Sequence, residues 1–216
     1  DKEEILLDLN ILSGASSYLS LGVFTVSPDH KLLAYAIDTD GSERYTLYFK
    51  DLATNRLLPD VVADISTSCV WANDNATVFY SRLNSQLRPD KVFKHTLGGT
   101  HDPLVHQEHD SEYFLHVRKT RDHRWIVFEA EGAITSEALI LAADTPDGKL
   151  KLFRKREIGV EYSVESHTDG FFVHSNLQAL NFQVFRCSAI ATSDWRPFIP
   201  HDPDVYIASV DAFADH

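Results

Sequence analysis

Cysteine is scarce in this sequence, with Cys69 and Cys187 the only two among 216 residues. Two thiols so far apart, each in an apolar strand-like run (SCVWA and QVFRCSA), supply no disulfide framework. They read as small buried hydrophobes in a reducing compartment such as the cytoplasm. Positive charge is also short: 20 Lys and Arg stand against 32 Asp and Glu, a net charge of −12. That balance excludes sequence-independent binding to nucleic acid phosphates. It serves solubility first and attraction of cationic ligands second. No apolar run approaches the roughly 18 residues of a membrane helix. The acidic opening DKEEILLDLN has no basic start followed by an apolar core, so no secretory leader is expected. The sequon Asn75-Ala76-Thr77 is then a chance match. Both ends read as cuts: the chain opens at Asp1 without methionine, and Ala214-Asp215-His216 follow a fresh strand-like run.

What is present repeats. An apolar-alternating run, a polar turn with Asp and a strongly β-prone run recur four times, with turns Ser27-Pro28-Asp29-His30, Asn73-Asp74-Asn75, Thr120-Arg121-Asp122-His123 and His167-Thr168-Asp169-Gly170. Their aspartates recur at intervals of 45, 48 and 47 residues, within the period of about 40–50 residues of a propeller blade. Each unit reads as four strands. First strands lie at Leu21–Val26, Ser68–Ala72, Phe114–Lys119 and Glu161–Glu165. Second strands lie at Lys31–Ile37, Thr77–Arg82, Trp125–Glu129 and Phe171–His174, and are continuously apolar, as strands covered on both faces are. Third strands follow at Tyr45–Asp51, Lys91–Leu97, Glu137–Ala143 and Phe182–Ser188. Shorter, more polar fourth strands run near Arg56–Val62, Pro103–His106, Leu150–Arg154 and Trp195–Ile199.

The expected architecture is all-β: a partial β-propeller of about four four-stranded blades plus the first strand of a fifth. A lead-in spans 1–20, blades span about 21–62, 67–106, 113–155 and 161–200, and 205–216 starts the next, with its strand at Val205–Val210. Only Lys2–Asn10 carries a helix signal, and it reads equally well as a strand. A twisted sandwich or a set of unrelated hairpins is the alternative, but neither accounts for a period held three times.

Catalytic patterns are missing. A nucleophile elbow needs Gly-x-Ser-x-Gly, and Gly14-Ala15-Ser16 and Gly41-Ser42-Glu43 both lack the second glycine. Gly98-Gly99-Thr100 is a hairpin-like turn with no Lys and no helix to hold phosphate. His95, His101, His106, His109 and His116 cluster in the sequence, and His106-Gln107-Glu108-His109 has metal-like spacing. It lies in a polar inter-blade segment, however, and reads as a solvated loop. Asp38 with Asp40, or Glu129 with Glu131, are carboxylate pairs of the kind a glycosidase uses, though turn carboxylates are common. The aromatics Trp71, Tyr80, Trp125, Phe128, Phe171, Phe172 and Trp195 fall at strand positions and read as core. No catalytic, cofactor-binding or metal-binding residue is assigned, and no cofactor is expected.

Read together, the blade motifs carry a resemblance. They run from Leu7-Asp8-Leu9-Asn10, Ser27-Pro28-Asp29 and Ala34-Tyr35 through Asp38-Thr39-Asp40-Gly41-Ser42-Glu43-Arg44-Tyr45 and Lys50-Asp51-Leu52. Val70-Trp71-Ala72-Asn73-Asp74, Phe79-Tyr80, Leu87-Arg88-Pro89 and Thr135-Ser136-Glu137 follow. Glu161-Tyr162-Ser163-Val164, Ser175-Asn176, Asn181-Phe182 and Ile199-Pro200-His201 complete the set. In this order and spacing the chain resembles, over nearly its whole length, the seven-bladed propeller of the oligopeptidase B (protease II) branch of the prolyl oligopeptidase family. The resemblance implies a cytoplasmic serine oligopeptidase that cuts short peptides after Arg or Lys. In that family the propeller caps an α/β-hydrolase domain and limits access to small, unstructured peptides. The 216 residues hold no match to the N-terminal segment, the later blades or the hydrolase domain. The Ser-Asp-His triad therefore has no counterpart here, and Asp215 and His216 are not its members.

The expected partners are short basic peptides, reached through the parent enzyme, and the hydrolase domain of the same polypeptide; nucleic acid and membrane are not. Asp38, Asp40, Glu43, Glu129 and Glu137 are the carboxylates that could face a basic peptide. Bare blade faces would favour self-association. A free-standing propeller that binds a protein partner, or a propeller glycosidase or lectin, are the alternative functions.

Overall fold

A computed structural model describes residues 3–14, 17–188, 190 and 194–213. Asp1, Lys2, Ala15, Ser16, Ala189 and the Ala214-Asp215-His216 end, all named from the sequence above, lie outside the described residues. The chain divides into two compact units, Asp1–Gln107 and Glu108–His216.

The first unit opens on a short helix, α1 (Leu9–Ser13). It starts later than the Lys2–Asn10 signal because Asp8 is its N-cap and accepts hydrogen bonds from the amides of Asn10 and Ile11. Such capping satisfies donors that a helix start leaves open. Seven strands follow: β1 (Ser20–Val26), β2 (Leu32–Asp38), β3 (Tyr45–Asp51), β4 (Arg56–Trp71), β5 (Thr77–Leu83), β6 (Pro89–Thr96) and β7 (Leu104–Gln107). They form one antiparallel sheet in chain order.

Strand β4 departs most from the sequence expectation. Arg56–Val62 and Ser68–Ala72 are not separate strands but parts of a single 16-residue strand. Its first part pairs with β3 and its second with β5, with Ile65 paired to both. The register shifts between Val62 and Ile65, where Asp64 has φ 58°. This bulge re-aims the strand from one blade to the next without ending it. The first two blades therefore share a strand. Between them lie Ala34, Ala36, Leu47 and Phe49 of the first blade and Cys69, Trp71, Val78 and Tyr80 of the second, all buried. Trp71 stacks edge-on against Phe49 and donates its indole N–H to the Thr25 carbonyl at 3.1 Å.

The second unit holds two separate four-stranded antiparallel sheets. One contains β8 (Phe114–Lys119), β9 (Trp125–Glu131), β10 (Ser136–Ala142) and β11 (Lys151–Arg154). The other contains β12 (Tyr162–His167), β13 (Gly170–Ser175), β14 (Gln183–Cys187) and β15 (Arg196–Ile199). Val127, Ile140 and Phe153 of the first sheet pack with Val164, Phe171 and Phe185 of the second and with Trp195, just before β15.

The repeated turns use one device. Ser27 Oγ donates to Asp29 and accepts from the Leu32 amide, while Thr120 Oγ1 donates to Asp122 and accepts from the Trp125 amide. Asp74 does the corresponding work by accepting from the amide and hydroxyl of Thr77. His30, Asn75 and His123 all take φ near +60° to close these turns. The fourth turn uses Gly170 at φ 146°, where a Cβ would run into the Cys187 carbonyl; only glycine fits there.

Val205–Val210, expected as a fifth-blade strand, is not one. It shows a single isolated bridge, Asp202 to Val205. Its backbone groups are met one at a time: the Ile207 amide donates to the Asn181 carbonyl, and the Ile207 carbonyl faces His174 Nε2 at 2.7 Å. Without a ladder, β-prone residues do not make a strand. No helix among the described residues is long and apolar enough to cross a membrane.

Candidate functional site

The carboxylates singled out in the sequence separate into turn builders and ion-pair partners. Asp38, at the end of β2, is 1% exposed. Its two oxygens accept from the amides of Asp40, Gly41 and Glu43, each at 2.9 Å. Burial pushes this carboxyl up, but the backbone donors together outweigh it and hold it below the usual range. Asp40 accepts from the Ser42 amide, and Glu43 is exposed with φ 61°. Asp38 and Asp40 build one turn, and the contact between their side chains adds to the donors that lower Asp38.

Glu129 and Glu137 are gripped by arginines. Arg118 on β8 makes a two-pronged contact with Glu129 on β9, at 2.9 and 2.8 Å, and reaches Glu165 on β12 at 2.6 Å. The pair Arg118–Glu165 thus ties the two blades of the second unit. Removal from water opposes the charge on Arg118, but the two glutamates more than offset it and hold the guanidinium protonated. Burial pushes Glu165 up, with Arg118 offsetting part of the effect. Arg156 repeats the arrangement, contacting Glu137 at 3.0 Å and Glu108 at 2.5 Å while lying over the Tyr113 ring.

Glu131 lies two residues beyond Glu129 on the same strand, and crowding out of water and the Glu129 carboxylate push its carboxyl up. It borders a cavity of about 200 Å3, lined also by Glu161, Thr135, Tyr162, His174 and Phe182.

The histidines of the sequence cluster do not share a loop. His95 lies on β6, His106 on β7 and His116 on β8. Among the described residues no group of three His, Cys, Asp or Glu side chains is placed to hold a metal. Glu108, expected in a solvated loop, is buried against Arg156. His95 is also buried, with Nδ1 2.8 Å from Asp102 and Nε2 3.2 Å from Asp60. Neither thiol forms a disulfide, and both are buried. Burial pushes Cys69 up to about 12, which leaves a thiol with no nucleophilic form near neutrality.

The arginine clamps were missed in the sequence, yet a signal was present. Arg118 and Glu165 lie 47 residues apart, and Glu108 and Arg156 lie 48 apart. Opposite charges one blade period apart are what an inter-blade ion pair requires. The His95 cluster had no such marker, because Asp60 is 35 residues away and Asp102 only 7.

The family sequence model for the prolyl oligopeptidase N-terminal β-propeller domain matches residues 1–216. The chain belongs to the prolyl oligopeptidase family. Within it, the chain is 34% identical over 98% of its length to dipeptidyl aminopeptidase BI of Pseudoxanthomonas mexicana, of which it covers 30%. It is 33% identical over 99% of its length to protease 2 of Moraxella lacunata, covering 31% of that protein. Among solved structures, oligopeptidase B of Leishmania major matches 95% of this chain with a TM-score of 0.89 at 25% identity, over 30% of that chain. Oligopeptidase B of Trypanosoma brucei, in a closed form with covalently bound antipain, matches 98% with a TM-score of 0.88 at 30% identity, again over 30%. The chain thus spans about a third of the length of the family members it matches. Its fold is that of the oligopeptidase B propeller, and these family members are peptidases.

Proposed function

We propose that this chain is the non-catalytic propeller cap of a serine oligopeptidase that cleaves short peptides after Arg or Lys. The observation that carries the reading is the match of residues 1–216 to the family's propeller domain, together with the likeness to protease 2 and to oligopeptidase B. The cap acts by exclusion: a passage beside the blades admits a flexible peptide and rejects a folded one. The charge of −12 supports basic substrates, since a negative field raises the local concentration of cations. Glu129 and Glu137 are occupied by Arg118 and Arg156, which supports a part for them in shaping the blades of the cap.

The likeness to a dipeptidyl aminopeptidase supports a second reading, in which the parent enzyme takes dipeptides from free amino termini. The two separate on one assay of the parent enzyme. Under the first reading, arginyl substrates with blocked amino termini turn over well and neutral ones do not. Turnover confined to substrates with a free amino terminus would establish the second reading instead. Equal turnover of arginyl and neutral blocked substrates would refute the basic preference.

A further inference from the structure

The second unit pairs carboxylates three times. Glu129 and Glu165 hold Arg118 between them, and Glu108 and Glu137 hold Arg156. The third pair is Glu131, at the end of β9, and Glu161, one residue before β12, which border the cavity of about 200 Å3. Neither forms an ion pair among the described residues. Glu131 takes no hydrogen bond there, and Glu161 accepts one from the Asn176 side-chain amide at 3.1 Å. Glu131 is exposed, so a cation from outside can reach it. Partial removal from water and the carboxylates of Glu129 and Glu161 push its carboxyl up, with His116 and Arg118 offsetting part of the effect. A bound cation relieves that crowding.

Tyr162, His174 and Phe182 supply an aromatic wall to the same cavity. Tyr162 spends its hydroxyl on the Arg154 carbonyl at 2.6 Å and the Ala138 amide at 2.8 Å, which leaves its ring. Phe182 stacks on His174 at 4.6 Å, and Tyr206 meets it edge-on at 5.7 Å. Carboxylates together with aromatic rings suit a guanidinium, which binds acceptors in pairs and stacks on ring faces. The chain uses this combination itself: Arg156 lies between two glutamates with its guanidinium carbon 4.0 Å from the Tyr113 ring centroid. The size agrees. A site for a whole small molecule measures roughly 300–1,000 Å3, so about 200 Å3 takes a side chain and not a whole ligand. We propose that this cavity is a subsite for an arginine side chain of the peptide substrate. The proposal rests on the reading of the parent as an oligopeptidase of basic peptides. Under that reading the reacting groups lie in another domain, so the arginine held here lies away from the cut bond. The subsite then acts through affinity and not through the bond-breaking step.

The test is steady-state kinetics of the full-length parent on short fluorogenic peptides in two series, with arginine or norleucine at the cut bond. Within each series a second arginine, or its neutral isostere citrulline, is placed at each other position in turn. At one position arginine is expected to give a KM about tenfold below that of citrulline, with kcat unchanged, as a charge-assisted contact made equally before and during reaction requires. Glu131→Gln should remove most of that advantage. Glu4→Gln, which removes one charge from an exposed glutamate outside the cavity, should leave it intact and so separate a local site from the overall negative field. A KM that never distinguishes arginine from citrulline would overturn the proposal, as would an advantage that survives Glu131→Gln or falls equally in Glu4→Gln. Equal turnover of the arginine and norleucine series would refute the basic preference at the cut bond, and the KM comparison within either series would still decide the subsite.

Discussion

The two units solve the same problem, joining one blade to the next, in different ways. In the first, the fourth strand of one blade continues as the first strand of the next, so β4 belongs to both. In the second, β11 ends at Arg154 and β12 begins at Tyr162. The residues in between explain the difference. The crossing in β4 runs Ala63-Asp64-Ile65-Ser66-Thr67, where one left-handed residue makes a bulge and β-branched Ile65 and Thr67 favour extended chain. The crossing in the second unit runs Lys155-Arg156-Glu157-Ile158-Gly159-Val160-Glu161. There Gly159 has φ 82°, and the Arg156 amide and guanidinium both bind Glu137. In the first pair of blades the continuous strand is joined by apolar packing around Trp71 and by neutral contacts such as the Trp71 indole N–H to the Thr25 carbonyl. The interrupted one adds an arginine that locks the linker in place.

The comparison is open to attack first at the cores. Trp71→Ala should cost about 3–5 kcal/mol and open β1–β5, and Phe153→Ala a similar amount and open β9–β14. Residue-resolved hydrogen exchange should show each loss of protection concentrated in its own unit. Equal loss in both units for either variant would break the division.

A second attack falls on the clamps. Arg118→Met leaves Glu129 and Glu165 without their cation, at a cost of about 3 kcal/mol in denaturant unfolding. Arg118→Lys should recover part of this, because lysine keeps the charge but loses the two-pronged contact. Full recovery by Lys would show that charge alone matters.

The smallest effect concerns Asp38. Its carboxyl is held below the ordinary range, so its contribution to stability is complete above the unfolded value of about 3.9 and is lost as pH falls through the lower folded value. Asp38→Asn should cost about 1–2 kcal/mol near neutrality. It should also flatten that part of the acid unfolding curve; an unchanged acid limb would show that the turn does not depend on the charge.

These experiments also mark what the sequence could reveal. Strands such as Tyr45–Asp51 and Phe114–Lys119 were legible to the residue, since alternation and flanking turn residues are local signals. Strand β4 was not, because Arg56–Val62 and Ser68–Ala72 read as separate strands, and only pairing with β3 and then β5 joins them across residues 63–67. Val205–Val210 failed for the opposite reason: β propensity was present but no ladder was. Glu129 and Glu137 were visible as residues, but not their partners Arg118 and Arg156, which fold back from 11 and 19 positions away. His95 read only as one of five histidines clustered in the sequence. Only the packed structure places Phe49 on its ring and a carboxylate at each nitrogen.

The central claim, that this chain governs access and performs no chemistry, meets its most direct test in a paired turnover measurement. The purified 216-residue chain and the full-length parent are given the same chromogenic arginyl substrate, with and without a serine-directed covalent inhibitor. The account predicts no turnover and no inhibitor labelling for the chain, and inhibitor-sensitive turnover for the parent. Inhibitor-sensitive turnover by the chain itself would contradict it.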